Sequence, residues 1–170
     1  MIDDPPWKPE GALWMIGSDR VPKRMAEGFS VPNSIAFSPD GRTMYFADSP
    51  TRKIWAWPLR VRGGLGERRL FAETEPPGYP DGATVDADGH LWSAEWDGGR
   101  LVRYTPEGKV ERVVPLPVRR PTCCAFGGKR LATLFVTSAA ECGPDASPLA
   151  GAVLAFEPGP RGLPEPRWGG

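Results

Sequence analysis

The chain has 170 residues, and its 21 basic and 21 acidic side chains give a formal net charge of zero. This balance argues against a nucleic-acid-binding surface, and no apolar run is long enough to predict a membrane span. Because the 21 glycines and 21 prolines would interrupt long helices, the composition favours an all-β fold. The N-terminal stretch lacks a signal-like apolar core, so we expect a cytoplasmic protein with neither nucleic-acid nor membrane partners.

A strand–turn–strand pattern occurs three times along the chain. It begins at Asn33, Asp81 and Thr122, in the segments NSIAFSPDGRTMYFADSPTRKIWAW, DGATVDADGHLWSAEWDGGRLVRY and TCCAFGGKRLATLFVTSA. Each copy starts with a polar residue, runs through a short apolar strand, turns on glycine and continues into an apolar second strand. A spacing of roughly 40 to 50 residues is typical of the blades of a β-propeller.

The predicted strands fall into groups of up to four. Glycine-containing turns at 38–41, 87–89 and 105–108 separate neighbouring strands, because glycine accepts the positive φ that such turns require. We therefore predict blades of four antiparallel strands, preceded by an incomplete leading blade and followed by an incomplete final one. The predicted strands are 10–14 and 23–27, then 35–37, 43–47, 53–57 and 69–72, then 83–86, 90–95, 100–104 and 110–114.

One stretch is similar to an EF-hand calcium loop. Counted from Thr84, the side chains of Asp86 and Asp88 occupy loop positions 3 and 5, and Glu95 occupies position 12. The first position is threonine instead of aspartate, and the flanking segments are predicted strands where an EF-hand needs helices. We therefore predict a simple hairpin turn here.

The cysteines and the single histidine exclude several kinds of site. Cys123, Cys124 and Cys142 lack CxxC spacing, so we predict buried, reduced thiols and neither a disulfide framework nor a zinc ribbon. His90, the only histidine, is predicted at the surface. With one histidine, Ser-His-Asp and Cys-His nucleophilic machinery is not expected, and hydrolysis would need a metal ion or carboxylates.

The residues that open the first two copies are the best site candidates. Asn33 and Asp81 each follow a proline at the start of a predicted inner strand. In a propeller such strand ends converge on the central channel, and amide and carboxylate oxygens are ligands for a hard or borderline cation. The alternative is that both residues only cap their strands, as asparagine and aspartate often do.

Several motifs, taken together, resemble the senescence marker protein / gluconolactonase / luciferin-regenerating enzyme family, to which regucalcin belongs. They are PNSIAFSPDG, a DS pair after the second strand, PDGATVD, GGRLVRY, RPTCCAFGG and LFVTS. The resemblance covers about residues 11 to 159. It implies a partial six-bladed propeller over 11–159, with an N-terminal tail at 1–10 and a C-terminal tail at 160–170.

The resemblance also implies a function. Family members typically hydrolyse sugar lactones with one divalent metal ion, held by a glutamate, an asparagine and an aspartate. The asparagine matches Asn33 and the aspartate matches Asp81, which in the family is also proposed to activate water. We expect calcium or zinc, with manganese or magnesium as alternatives, and a sugar lactone as the substrate.

Two departures from the family pattern matter. Ser34 stands where the family commonly has glycine after the asparagine. The family's metal-binding glutamate has no counterpart before Asn33, since Glu10 and Glu27 lie in other contexts. The strands amount to about three blades, so we expect the C-terminal half of a ring, completed by a chain that supplies the N-terminal blades. The alternatives are a non-catalytic calcium-binding propeller and an inactive truncated fragment.

Overall fold

The computed structural model of the chain describes residues 6–60, 64–141, 143 and 146–165. Its described part contains fourteen β-strands and one short 3₁₀ turn at Ser49–Thr51. The strands are β1 (Gly11–Ile16), β2 (Pro22–Phe29), β3 (Pro32–Phe37), β4 (Thr43–Asp48), β5 (Lys53–Arg60), β6 (Gly64–Leu65), β7 (Arg69–Glu73), β8 (Tyr79–Val85), β9 (Leu91–Trp96), β10 (Arg100–Tyr104), β11 (Val110–Pro115), β12 (Pro121–Gly127), β13 (Thr133–Ser138) and β14 (Val153–Phe156).

These strands form four antiparallel sheets that follow one another along the chain. The first sheet is the hairpin β1–β2, and the second contains β3, β4, β5 and β7, with the short β6 also paired to β5. The third sheet runs β8–β9–β10–β11, and the fourth runs β12–β13–β14. The all-β prediction is confirmed, and each predicted strand overlaps an observed one. The number of blades in a closed ring stays a prediction.

Aliphatic and aromatic side chains fill three apolar cores, one between each pair of successive sheets. On β4, Met44 and Phe46 belong to the core shared with the first sheet, while Tyr45 and Ala47 belong to the core shared with the third sheet. Successive strand residues face opposite sides, so a strand covered on both faces carries an unbroken apolar run. The core between the third and fourth sheets contains Trp92, Ala94, Leu101, Cys124, Leu134 and Val136.

A buried ionic network braces the third sheet at the β8–β9 turn. The Arg103 guanidinium donates to Asp86 at 2.8 Å and to Asp88 at 3.1 Å, and it lies 3.2 Å from the Glu111 carboxylate. Asp86 is fully buried and also accepts the Trp92 indole N–H at 2.8 Å. Asp86 and Asp88 therefore brace a hairpin turn between two strands, which agrees with the exclusion of an EF-hand.

The structure corrects the predicted exposure of two side chains, Cys123 and His90. Cys124 is buried as predicted, but Cys123 is exposed. Cys123 follows the register shift at the start of β12 and lies beside Gly82 at the edge of the contact between the third and fourth sheets, whereas Cys124 packs inside the core between them. His90 is mostly buried instead of at the surface, since its side chain is 19% exposed and its Nδ1 lies 3.9 Å from Asp86. Cys142 lies outside the described residues.

Within the described ranges, no helix has the length and apolar character needed to cross a membrane.

Candidate metal and catalytic site

The first strands of three successive sheets lie side by side, and each is irregular near its start. The pairing register shifts after Asn33 in β3, after Pro80 in β8 and after Pro121 in β12. Such a bulge re-aims the side chains beside it. The residues at these irregularities are Asn33–Ser34, Asp81–Gly82 and Thr122–Cys123, so the structure places all three repeat-opening residues at corresponding ends of adjacent strands.

The Asn33 side chain is half-buried and held by Ser49. Its Nδ2 donates to the Ser49 Oγ at 2.9 Å, and the Ser49 hydroxyl in turn donates to the Pro80 carbonyl at 2.6 Å. Because the Ser49 hydroxyl donates its single proton to the Pro80 carbonyl, it can only accept a hydrogen bond from Asn33. This fixes the orientation of the Asn33 amide group. The amide oxygen of Asn33 is therefore turned away from Ser49.

Asp81 contacts Asn33 and is the most perturbed carboxyl group of the site. Burial raises the pKa of Asp81 to about 6, while hydrogen bonds from the Gly82 N–H and the Asn33 amide oppose the rise. None of the ion pairs among the described residues involves Asp81. The site thus combines a carboxyl group that titrates near neutral pH with a neighbouring amide, a combination suited to proton transfer or cation binding.

Ser34 connects the two candidate residues, because it follows Asn33 in the chain and its side chain is hydrogen-bonded to the backbone of Asp81. It is buried, with 2% exposure, and has a φ of 57°, the left-handed region that favours glycine. Its hydroxyl donates to the Asp81 carbonyl oxygen. The resemblance in sequence gives glycine at this position, and the backbone conformation explains why glycine fits there.

Asp48 supports the segment that leads into β3. Its buried carboxylate accepts the Val31 N–H at 2.7 Å and the Ser30 N–H at 3.1 Å. These bonds hold the turn that precedes Asn33. Asp48 therefore acts on the site through the backbone and does not contact Asp81.

β12, the first strand of the fourth sheet, has a threonine and a cysteine at the corresponding position. The Thr122 hydroxyl lies 2.7 Å from the Thr137 hydroxyl, so it is engaged within its own sheet. Cys123 lies against Gly82, where a Cβ would come within 2.5 Å of the thiol sulfur. Although Cys123 is partly exposed, the packing of its sulfur against Gly82 removes water from the thiol and raises its pKa, and the Asp81 carboxylate adds to the rise. The thiol is thus held in its protonated, poorly nucleophilic form.

The donor set at Asn33 and Asp81 fits part of a divalent cation site. An amide oxygen and a carboxylate are suitable ligands for a hard or borderline cation. In the described part of the chain, no three His, Cys, Asp or Glu side chains form a group that could hold a metal ion. A metal bound here would need further ligands from water or from other protein segments.

Sequence reasoning singled out Asn33 and Asp81 but missed the roles of Ser49 and Asp48. The signal was present, because the Asp48–Ser49 pair directly follows the second strand of the first copy. What the pattern could not show is that the Ser49 hydroxyl reaches Asn33 and Pro80 in two different sheets.

Comparison with known proteins places these observations in a family. The family model described as the SMP-30/Gluconolactonase/LRE-like region matches residues 2–140. A 6-deoxy-6-sulfogluconolactonase of Pseudomonas putida is 37% identical over 96% of this chain and 60% of its own length. An L-arabinolactonase of Azospirillum brasilense is 43% identical over 76% of this chain and 43% of its own length.

A solved structure agrees with the sequence comparisons. It is a calcium-binding protein, regucalcin, from Agrobacterium tumefaciens, which superposes with a TM-score of 0.84 at 34% identity and covers 94% of this chain. This chain covers 56% of that protein. The chain therefore spans about half the length of the relatives that it matches.

Proposed function

Because the chain belongs to the SMP-30/gluconolactonase/LRE-like family, we propose that it carries half of the active site of a metal-dependent sugar lactonase, with Asn33 and Asp81 as metal ligands. The observation that supports this most directly is the run of hydrogen bonds from the Asn33 amide through the Ser49 hydroxyl to the Pro80 carbonyl, which ties the start of β3 to the residue just before Asp81 in β8. Two of the relatives described above are named for the hydrolysis of sugar lactones.

Asp81 also serves as the general base in this proposal. Its carboxylate accepts a proton from a water molecule as the water oxygen bonds to the lactone carbonyl carbon. The bond from that carbon to the ring oxygen then breaks, and the ring oxygen takes up a proton to give the hydroxy acid. In the metal-free chain a pKa of about 6 leaves Asp81 mostly ionised at neutral pH, and a bound cation would favour the ionised form further.

Asn33 and Asp81 would together hold one divalent cation, with calcium or zinc preferred and manganese or magnesium as alternatives. When bound, the cation supplies polarisation of the lactone carbonyl and lowers the pKa of water. Ser49 keeps the Asn33 amide in one orientation for this purpose. No serine or cysteine nucleophile is needed, which agrees with the protonated state of the Cys123 thiol.

We also propose that further sheets of the family fold, supplied by a second polypeptide segment, cover the outer faces of the first and fourth sheets. Trp14 and Ile16 in β1 are 55% and 52% exposed, and Phe135 and Val153 in the fourth sheet are 40% and 64% exposed. Exposed apolar faces of this kind mark interaction surfaces. The relatives are longer than this chain. The segment that covers these faces is therefore further antiparallel β-sheet with an apolar face of its own.

The test is lactone turnover with and without the missing sheets. We expect little hydrolysis of gluconolactone by the chain alone with any divalent ion. Adding the part of the Azospirillum brasilense L-arabinolactonase that lies outside the match should restore turnover, and a chelator should abolish it. Asp81→Ala should lower the restored rate by at least about a hundredfold, whereas Asp40→Ala, in an exposed turn, should not. Turnover that survives Asp81→Ala would overturn the proposal.

A second candidate function is calcium binding without catalysis. It is favoured by the solved relative described as a calcium-binding protein. Calcium titration of the restored assembly separates the two candidates. Saturable binding that depends on Asp81, with no turnover of any sugar lactone, would support the binding function over the enzyme.

A further inference from the structure

Both peptide carbonyls that flank the Asp81 Cα accept hydrogen bonds from serine hydroxyls of the preceding sheet. Ser49 donates to the Pro80 carbonyl at 2.6 Å, and Ser34 donates to the carbonyl of Asp81 itself. Both serines are buried, with 1% and 2% exposure. The backbone of Asp81 is therefore fixed from two sides to the sheet that carries Asn33.

The same two serines also constrain the position of Asn33. Ser34 is its neighbour in sequence, and the Ser49 Oγ accepts the Asn33 Nδ2 at 2.9 Å. One connected set of hydrogen bonds thus joins the Asn33 amide, two hydroxyls and the two carbonyls around Asp81. A buried network whose members are all satisfied holds its groups in one arrangement.

Ser34 has a positive φ, and among the non-glycine residues with this conformation it is the one next to Asn33. A φ of 57° costs free energy for any residue with a Cβ, and glycine would take the same backbone without that cost. What serine adds over glycine is its hydroxyl, whose bond to Asp81 crosses from β3 to β8. A strained residue at a candidate site, with its side chain hydrogen-bonded across two sheets, points to a role for that side chain.

We propose that Ser34 and Ser49 are positioning residues that set the distance and orientation between the Asn33 amide and the Asp81 carboxylate. The proposal rests on the function proposed above for those two side chains. Both hydroxyls are already engaged by the protein's own groups. They act by holding two ligands from different sheets in a fixed geometry before a cation arrives, as residues behind metal ligands commonly do.

The test compares three variants of the chain. Ser49→Ala removes the hydroxyl between Asn33 and Pro80. Ser34→Gly removes the hydroxyl that donates to the Asp81 carbonyl. Glycine adopts the same backbone conformation without strain. Ser138→Ala is the matched control, because the Ser138 hydroxyl bonds Ala152 at 2.8 Å and Gly151 at 3.1 Å and touches neither candidate ligand.

The first readout needs no metal. Nitrogen-15 relaxation on the metal-free chain should show that Ser49→Ala lowers the order parameter of the Asn33 side-chain amide. Ser34→Gly should lower the order parameters of the Asp81 and Gly82 backbone amides from the rigid range, about 0.85, toward about 0.6. Ser138→Ala should leave all three unchanged. Urea unfolding identifies any variant that does not fold. If Ser49→Ala does not fold, Ser34→Gly alone tests the positioning role, because glycine fits the backbone conformation at position 34.

The second readout is titration with Mn²⁺. Each of the two site variants should weaken binding by about tenfold or more, and the control should stay within about twofold. Unchanged order at Asn33 and Asp81 in the site variants, or equal loosening in Ser138→Ala, would overturn the positioning role. Failure of the wild-type chain to bind Mn²⁺ even in the restored assembly would count against the proposed metal function, while the relaxation measurement would still decide the role of the hydroxyls.

Discussion

Gly82 and Cys123 meet so closely at the boundary between the third and fourth sheets that there is no room for a side chain at position 82. A Cβ there would lie 2.5 Å from the Cys123 sulfur and 2.8 Å from the Cys123 Cα. Because one of these atoms is backbone, a rotation of the cysteine side chain cannot relieve the overlap. The glycine beside Asp81 is thus what lets β12 approach β8.

Gly82→Ala should therefore separate the two strands and destabilise the chain by about 1–3 kcal/mol, the usual cost of overpacking. Urea unfolding monitored by tryptophan fluorescence measures the loss. Gly64→Ala is the control, since a Cβ at position 64 would meet its nearest atom at an ordinary 3.6 Å, and we expect a change within about 0.5 kcal/mol. Equal stability of the two variants would contradict the packing argument.

Asp81 should make the stability of the metal-free chain depend on pH. Its pKa is about 6 in the folded chain, against an ordinary value of 3.8, so the folded state holds the proton more tightly than the unfolded chain does. Stability should then fall as pH rises from about 4 to about 6 and stay level above that.

Asp81→Asn should remove this dependence and make the metal-free chain more stable than wild type at pH 7 by about 1–3 kcal/mol. Burial also raises the pKa of Glu95, but Glu95 is present in both proteins, so its contribution cancels in the difference. Urea midpoints measured at pH 4, 5, 6 and 7 give the comparison. Parallel curves for the two proteins would show that Asp81 does not titrate in this range.

The buried Arg103 should be essential for folding stability. Arg103→Met leaves the fully buried Asp86 carboxylate without its cationic partner, and breaking a buried pair in this way costs about 3–5 kcal/mol. Lys23→Met, which removes the partner of Asp19 from an exposed ion pair, should cost far less. Thermal unfolding of both variants tests this, and similar losses would mean that the network adds nothing beyond a surface pair.

Asp48→Ala should loosen the turn that precedes Asn33. It leaves the N–H groups of Ser30 and Val31 without their acceptor, and hydrogen bonds to a charged group are worth about 1.5–3 kcal/mol. Asp40→Ala, which removes a carboxylate from an exposed turn, should have a smaller effect. Amide hydrogen exchange at Val31 should speed up in Asp48→Ala only. Unchanged exchange there would show that the carboxylate does not hold the turn.

Part of this protein could be predicted from local sequence patterns. Turns such as Ser38–Gly41 and alternating or unbroken apolar runs depend on residues close together in the chain, which is why the strands and the all-β fold were predicted correctly. The same repeat predicted that Asn33 and Asp81 open corresponding strands. Their roles as metal ligands remain a proposal, supported by the hydrogen bonds of Ser34 and Ser49 that connect the two strands.

The sequence by itself determined the strand units and the two residues that open them, because strand periodicity and turn chemistry are local properties of the chain. Only the tertiary structure decided which hydroxyls meet those residues. Ser49 reaches the Pro80 carbonyl across 31 residues of sequence, and Ser34 reaches Asp81 across 47. It also decided that Cys124 is buried while Cys123 is exposed. Burial and long-range hydrogen bonds depend on which sheet covers which face, and this follows from packing rather than from any short stretch of sequence.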